Sequence, residues 1–287
     1  MATIINPNFI AYAKATYANN TCVSYFKNIE TMLSFVGKPE NKITKSDILL
    51  WLSEMNNQGL SNSSRKQHLD SVKAYFKYLA EEELIAKNPT VGTKVLNVSN
   101  KAKHHMDVEM MKNMVAHAKT NRDKAIILLY VTSGMRVSEL TGLTIQQYQK
   151  MKANGDNRID IISKRDKHRF VYFAKEAQEA IDKYLPMRIN AKCDALFITS
   201  QGNPIARNNM NLALKKIARD AGVPFWEDMS NHQLRAGCAT MYYENGMGLH
   251  DLQNLLGHSD VSTTLRYTKS CDESVSRQVM GMNIMKF

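Results

Sequence analysis

Residues 123–143 read DKAIILLYVTSGMRVSELTGL. Asp123 opens an apolar helical stretch that runs through Tyr130, Ser133-Gly134-Met135-Arg136 interrupts it, and Val137 to Leu143 restarts helical spacing. The order of helix, glycine-bearing break and second helix sets this part of the chain as helical. It also leaves Arg136 near a helix end. The apolar run inside it, Ala125 to Val131, is the longest in the chain and far too short to span a bilayer.

Downstream, Arg158–Ser163 and His168–Phe173 are rich in β-type residues on either side of Lys164-Arg165-Asp166-Lys167, which predicts a short hairpin with a basic tip. Glu176–Leu185 and Asn208–Ala221 read as helices, with Leu196-Phe197-Ile198 as a third strand between them. From Ser230 the pattern is helical again, broken at Gly246, at Gly257 and around Thr268. Immediately upstream, Asp107 precedes Val108, Met111, Met114 and Val115, a further helix.

The first part of the chain is helical throughout. Asn20 and Thr21 are read as the cap of a helix carrying Val23, Phe26, Ile29, Leu33 and Val36. Ser46 precedes Asp47 and the apolar series Ile48, Leu49, Trp51, Leu52 and Met55, and Gly59 ends that helix. A third starts near Asn62, with Leu69, Val72, Phe76 and Leu79 on one face and Arg65, Lys66, Lys73 and Lys77 elsewhere on it. Asn88-Pro89 stops the pattern. Residues 89–104 show no helical period and carry three lysines, two of them Lys101 and Lys103, which reads as a basic interdomain linker. The expected architecture is mainly α with a small β-sheet in the C-terminal domain. Its parts are a helical domain over 1–88, a linker over 89–104 and a second domain over 105–287.

Composition narrows the function classes. The 287 residues include 38 Lys+Arg and 27 Asp+Glu, a net charge of +11. Residues 1–104 hold 13 basic and 8 acidic residues and the rest 25 and 19, so the excess divides as +5 and +6. Two basic domains joined by a basic linker favour a polyanionic partner. The amino terminus lacks a basic stretch followed by an apolar one, so no secretory signal is expected. Cys22, Cys193, Cys238 and Cys271 have no paired spacing and read as the reduced thiols of a cytoplasmic protein. His104-His105 is the one adjacent histidine pair, with no cysteine nearby, so no metal is expected.

One constellation in the second part has a chemistry of its own: Arg136, Lys164, His232 with Arg235, His258 and Tyr267. Two arginines can bracket the non-bridging oxygens of one phosphodiester. A tyrosine phenol is a covalent nucleophile, and histidines and a lysine can carry protons to and from the reacting oxygens. No carboxylate cluster is available to hold magnesium, so guanidinium groups would meet the transition-state charge. Taken singly, Arg136 also suits a surface ion pair, Tyr267 half-buried packing and His258 a helix terminus.

The wording of the motifs resembles the tyrosine recombinase (phage integrase) family. Leu129 to Leu140, containing Thr132-Ser133-Gly134-Met135-Arg136, is similar to the family's first arginine box. His232-Gln233-Leu234-Arg235 matches its H-x-x-R box. Leu255-Leu256-Gly257-His258-Ser259-Asp260 leads, nine residues after His258, to Tyr267, as in the box that ends in the nucleophile. Ile162-Ser163-Lys164, ahead of Lys167-His168-Arg169, sits where the family carries its hairpin lysine. The likeness is close from about Lys124 to Lys269 and looser over Leu60–Leu79, which resembles the family's SAM-like core-binding domain. Three features depart from the pattern: Ala236 follows Arg235, the lysine lies in Ser-Lys-Arg, and Phe170-Val171-Tyr172-Phe173 lacks a proline.

The resemblance implies a site-specific recombinase that cleaves and rejoins DNA through a 3′-phosphotyrosine and a Holliday junction, without metal, ATP or other cofactor. It implies Tyr267 as nucleophile, Arg136 and Arg235 as phosphate clamp, His258 as a further donor, Lys164 as acid to the departing 5′-oxygen and His232 in proton transfer. Lys167 competes for the acid role. Glu139, one turn after Arg136, would orient the site through a basic neighbour. Arg65, Lys66, Lys73, Lys101, Lys103 and Lys167 are the expected DNA contacts. The family's arm-binding domain has no room before residue 20, which implies a minimal, Xer-like or transposon-type member acting on inverted-repeat core sites. The apolar residues from Val275 to Phe287 would dock on a neighbouring subunit in a tetramer on two duplexes. Two alternatives share part of this pattern, a type IB topoisomerase and a DNA-binding relative without catalysis.

Overall fold

A computed structural model describes residues 5–95, 104, 106–162, 168–258 and 260–265. The chain divides into two compact units, residues 1–103 and 104–287, each with a core of its own. Among the described residues no helix is long and apolar enough to cross a membrane.

In the first unit four helices pack together: α1 (Pro7–Thr16), α2 (Asn19–Val36), α3 (Lys45–Asn57) and α4 (Asn62–Glu81). Sequence reading missed α1, although its signals are ordinary: Asn6 accepts from the Asn8 amide at 2.9 Å, and Pro7 occupies the first turn. Phe9 and Ala13 bury its inner face. Its start is pinned from α4, where the Tyr75 hydroxyl accepts from the Asn6 amide at 3.1 Å and donates to Glu40 at 2.8 Å. Helix α2 starts at Asn19 behind Ala18, so its N-cap lies two to three residues before the expected Asn20–Thr21 cap. Helix α3 is capped by Thr44 in a reciprocal box: Thr44 accepts from the Asp47 amide at 3.4 Å, and the Asp47 carboxylate accepts from the Thr44 amide at 2.8 Å. Along α2 and α4 the buried Asn28 amide donates to Ser71 at 2.9 Å, so this buried polar pair is satisfied.

Helix α4 ends at Glu81, ahead of Asn88-Pro89, where Glu83 takes a left-handed φ of 57°. The start of the expected linker is folded: Thr90 and Thr93 are buried, and Thr93 donates to the Thr90 carbonyl at 2.6 Å. A turn that closes on itself and fills the core edge is why residues 89–95 belong to the first unit.

The second unit is built around α6 (Asn121–Ser133), an apolar helix buried against α5 (Val108–His117), α9 (Lys175–Tyr184) and α11 (Asn231–Glu244). Short α7 (Val137–Thr141) and α8 (Ile145–Ala153) lead to a two-stranded antiparallel sheet, β1 (Arg158–Ile162) and β2 (His168–Tyr172), with Arg158 opposite Tyr172 and Ile162 opposite His168. Burial alternates along both strands, so Ile159, Ile161, Arg169 and Val171 face inward. Helices α10 (Arg207–Asp220), α12 (Leu249–Leu256) and α13 (Val261–Thr264) complete the unit. The expected third strand does not form. Leu196, Phe197 and Ile198 are buried, but the segment makes isolated bridges, Thr144 with Ala195 and Ile198 with Pro204. Pro204 has no N–H to extend a ladder, and the tight turn between Thr199 and Asn203 leaves no length for one.

Candidate active site

The site begins at the break between α6 and α7. Gly134 ends α6 with φ 57°, and a Cβ there would meet Leu256 Cδ2 at 2.8 Å and Cys238 Sγ at 3.2 Å. Only a glycine turns the chain here while packed so closely. Its carbonyl accepts from Arg235 Nη1 at 2.6 Å. Two residues on, Arg136 is the N-cap of α7, and Glu139 reaches back to the Arg136 amide at 2.6 Å and to its Nη1 at 2.8 Å.

The end of α12 organises the rest. Its last two carbonyls and that of Gly257 each accept from a different arginine. Arg169 Nη1 donates to Leu255, Arg235 Nη2 to Leu256 at 2.5 Å, and Arg136 Nη2 to Gly257 at 2.8 Å. A helix C-terminus carries partial negative charge and unsatisfied carbonyls, so guanidinium groups are its natural partners. Gly257 takes φ 62°, and the chain turns directly into His258. The Nδ1 of His258 lies 2.9 Å from the Thr264 hydroxyl of α13, and Gln253 donates to the His258 carbonyl at 3.0 Å.

The electrostatics follow from this crowding of cations. Burial lowers the pKa of His258, and the charges of Arg235, Arg136, Arg169 and His232 lower it further, to about 4. Burial alone would raise that of Glu139. The hydrogen bond and charge of Arg169, followed by the bonds from Arg136, overcome this and hold it at about 2. Glu139 is therefore a carboxylate at neutral pH although its side chain is only 3% exposed. Burial pushes the Cys238 thiol, beside Gly134, up to about 12.

Arg136, Glu139, Arg235 and His258 thus come together from α7, α11 and the end of α12. His232 stands on the first turn of α11, exposed, and its charge acts on His258. Lys164, Lys167, Tyr267, Lys101 and Lys103 lie outside the described residues, as does the apolar segment from Val275. Arg65, Lys66 and Lys73 are on α4 of the first unit. Lys66 is exposed, and Arg65 is half-buried with its guanidinium donating to Asn62 and, at 3.4 Å, to the Leu52 carbonyl. Among the described residues no group of three His, Cys, Asp or Glu side chains could hold a metal ion. Sequence reasoning missed Arg169 as a member of the cluster. The signal was its register, an arginine in the inward series of a half-buried strand.

Comparison with known proteins gives this geometry its context. The chain is 27% identical over 266 residues to the tyrosine recombinase XerD of Halalkalibacterium halodurans, covering 88% of this chain and 87% of that protein. It is 29% identical over 282 residues to the tyrosine recombinase XerC of Lactobacillus delbrueckii subsp. bulgaricus, covering 92% and 93%. Among solved structures its fold is similar to a lambda integrase dimer bound to a COC′ core site, with TM-score 0.74, 17% identity and coverage of 91% and 92%. It is also similar to the site-specific recombinase XerH bound to a palindromic difH substrate, with TM-score 0.72, 20% identity and coverage of 95% and 82%. The model of the phage integrase N-terminal SAM-like domain matches residues 9–86. With the two arginines, Glu139 and His258 assembled on one helix end, and the phage integrase model matching residues 104–274 around them, the chain belongs to the phage integrase family.

Proposed function

We propose that this chain is a site-specific DNA recombinase that cleaves and rejoins strands at Tyr267. The phenol oxygen of Tyr267 attacks the scissile phosphorus, forming a 3′-phosphotyrosine as the bond to the 5′-oxygen breaks. Lys164 gives the departing 5′-oxygen its proton, and His232 takes part in moving the phenol proton. Attack by the 5′-hydroxyl of another strand reverses these steps, so the number of phosphodiester bonds is unchanged and no ATP is needed. Exchange of one strand pair gives a Holliday junction, and exchange of the second resolves it.

Arg136 and Arg235 hold the non-bridging oxygens and stabilise the charge that builds there. With a pKa near 4, His258 is neutral at physiological pH. Its Nδ1 lies 2.9 Å from the Thr264 hydroxyl, and the tautomer that accepts from that hydroxyl would carry its proton on Nε2 for the phosphate. Duplex DNA with inverted-repeat core sites is the substrate. Four copies act on two duplexes, tied through the apolar segment that ends at Phe287.

The observation that carries this reading is the placement of Arg136 and Arg235 on the consecutive carbonyls of Gly257 and Leu256, directly ahead of His258. The test is covalent trapping on a nicked suicide duplex, its sequence recovered by binding selection from a random pool. Wild type should form a protein–DNA adduct, and Tyr267→Phe should form none while binding the duplex with near-normal affinity. An adduct in the Tyr267→Phe protein would place the nucleophile elsewhere, and wild type that binds without forming one would leave a DNA-binding protein only.

A further inference from the structure

In β2 the inward series of Arg169 and Val171 puts a guanidinium beside the buried Ile159 and Ile161 of β1. Burying a cation in such a layer is costly unless its donors meet charge or carbonyl oxygen. Arg169 meets both. Its Nε and Nη2 donate to the two oxygens of Glu139, at 3.1 and 2.7 Å, and its Nη1 donates to the Leu255 carbonyl.

A structural ion pair would be complete with one arginine and one carboxylate. Here the same carboxylate also holds Arg136, at both its amide and its guanidinium. Arg169 and Arg136 are thus cross-braced twice, once through Glu139 and once through carbonyls two residues apart on the end of α12. The close fit extends to Gly257, where a Cβ would come within 2.5 Å of Arg169 Cδ. An arginine that holds Glu139 from the far side fixes the direction in which Glu139 holds Arg136.

We propose that Arg169 is a positioning residue for strand cleavage: it fixes the Glu139 carboxylate that aims Arg136, and it ties β2, the strand that follows Lys164 and Lys167 in the chain, to the α12 end that precedes His258. The inference rests on reading Arg136, Arg235, His258 and Tyr267 as the cleavage site.

The groups that face Glu139 include Arg136 at the start of its own helix, Arg169 from β2, and Tyr130 from α6. Without Arg169, the carboxyl loses the largest of the interactions that oppose its burial, and its pKa must rise from about 2. Once Glu139 is protonated, Arg136 loses its charged partner. An Arg169 variant should therefore acquire an acid limb in its pH–rate profile that wild type lacks.

The experiment compares wild type, Arg169→Lys, Arg169→Met, Glu139→Gln and the double variant Arg169→Met with Glu139→Gln. The probe is the nicked duplex obtained by selection. Arg169→Met should bind it within about threefold of wild type and form adduct roughly 100-fold more slowly at neutral pH, the scale of loss for a small misplacement of a reacting constellation. Its rate should recover as the pH rises. Arg169→Lys, which keeps a charge, should regain about tenfold, and the double variant should be no slower than Glu139→Gln alone. A folded Arg169→Met protein that cleaves within about threefold of wild type, or losses that multiply in the double variant, would overturn the proposal.

Should Arg169→Met fail to fold, the pH profile of Arg169→Lys decides. Titration of the Glu139 carboxyl by carbon NMR in the DNA-free protein gives a readout that needs no cleavage. A pKa unchanged from wild type in a folded Arg169 variant would sink the positioning role. If wild type itself forms no adduct, the reading of the cleavage site fails, while this titration still shows whether Arg169 holds Glu139.

Discussion

Arg136 and Arg235 reach the site from different helices, yet their Nη2 atoms donate to adjacent carbonyls, those of Gly257 and Leu256. The spacing of the two guanidinium groups is therefore set by one peptide unit at the end of α12. What distorts that end displaces both guanidinium groups, and His258 with them.

Gly257→Ala tests this dependence. The substitution forces a β-carbon into a left-handed backbone and to 2.5 Å from Arg169 Cδ. It should cost about 1–3 kcal/mol of stability and slow adduct formation at least about tenfold. Gly246→Ala is the control, with φ 90° but no atom within 4 Å of the added carbon. It should lose stability and keep cleavage. Thermal unfolding and adduct yield distinguish the two; equal cleavage by both variants would contradict the argument.

His258 predicts a pH effect of defined sign. Its pKa is near 4 in the fold against 6.5 when unperturbed. Between these values the unfolded chain binds a proton that the folded site refuses, so stability declines as pH falls from about 6.5 to 4 and is unaffected by this group above that window. His258→Gln should flatten that part of the stability–pH curve, measured by urea denaturation at several pH values. A curve of unchanged slope would mean that His258 titrates normally in the folded protein.

How much of this was legible in the sequence depends on the reach of each interaction. The arginine and H-x-x-R boxes and the step from Gly257 to His258 were readable because each is local, with helix breaks at Gly134 and Gly257 marking where side chains gather; Tyr267 lies outside the described residues. The pairing of Glu139 with a basic neighbour was readable because it lies one turn from Arg136. The braces were not, because Arg169 bonds a carbonyl 86 positions away and nothing near either residue announces the pairing. Leu196-Phe197-Ile198 failed for the opposite reason: its burial is strand-like, but a strand needs a partner edge, and Pro204 supplies none. Helix α1 buries only Phe9 and Ala13, too sparse an apolar pattern to show as a helical period.

The expected DNA contacts on α4 separate by what each side chain already does. Lys66 and Lys73 lie seven residues apart on one helix face, and replacing either with alanine should weaken duplex binding uniformly across sequences. Each loss should lower the slope of log K against log salt by about one. Arg65→Ala should act instead on stability, by about 1 kcal/mol, because its guanidinium donates to the Leu52 carbonyl of α3 and to Asn62. Fluorescence anisotropy across a salt series, with urea denaturation of each variant, checks both. An Arg65→Ala protein of normal stability with a reduced salt slope would return Arg65 to the phosphate contacts.

The acid that protonates the leaving 5′-oxygen is separable chemically from every other role. A 5′-bridging phosphorothioate leaves as a thiolate, which needs no proton because a thiol's pKa of about 8.5 is far below that of an alcohol. Lys164→Ala should therefore cleave a normal duplex poorly and the sulfur-substituted one at close to the wild-type rate. Lys167→Ala should be affected equally little or equally much on both substrates, since a lysine that contacts phosphate acts the same whichever atom departs. Rescue confined to Lys167→Ala would move the acid role to that residue, and rescue of neither would mean that the proton comes from outside the segment between β1 and β2.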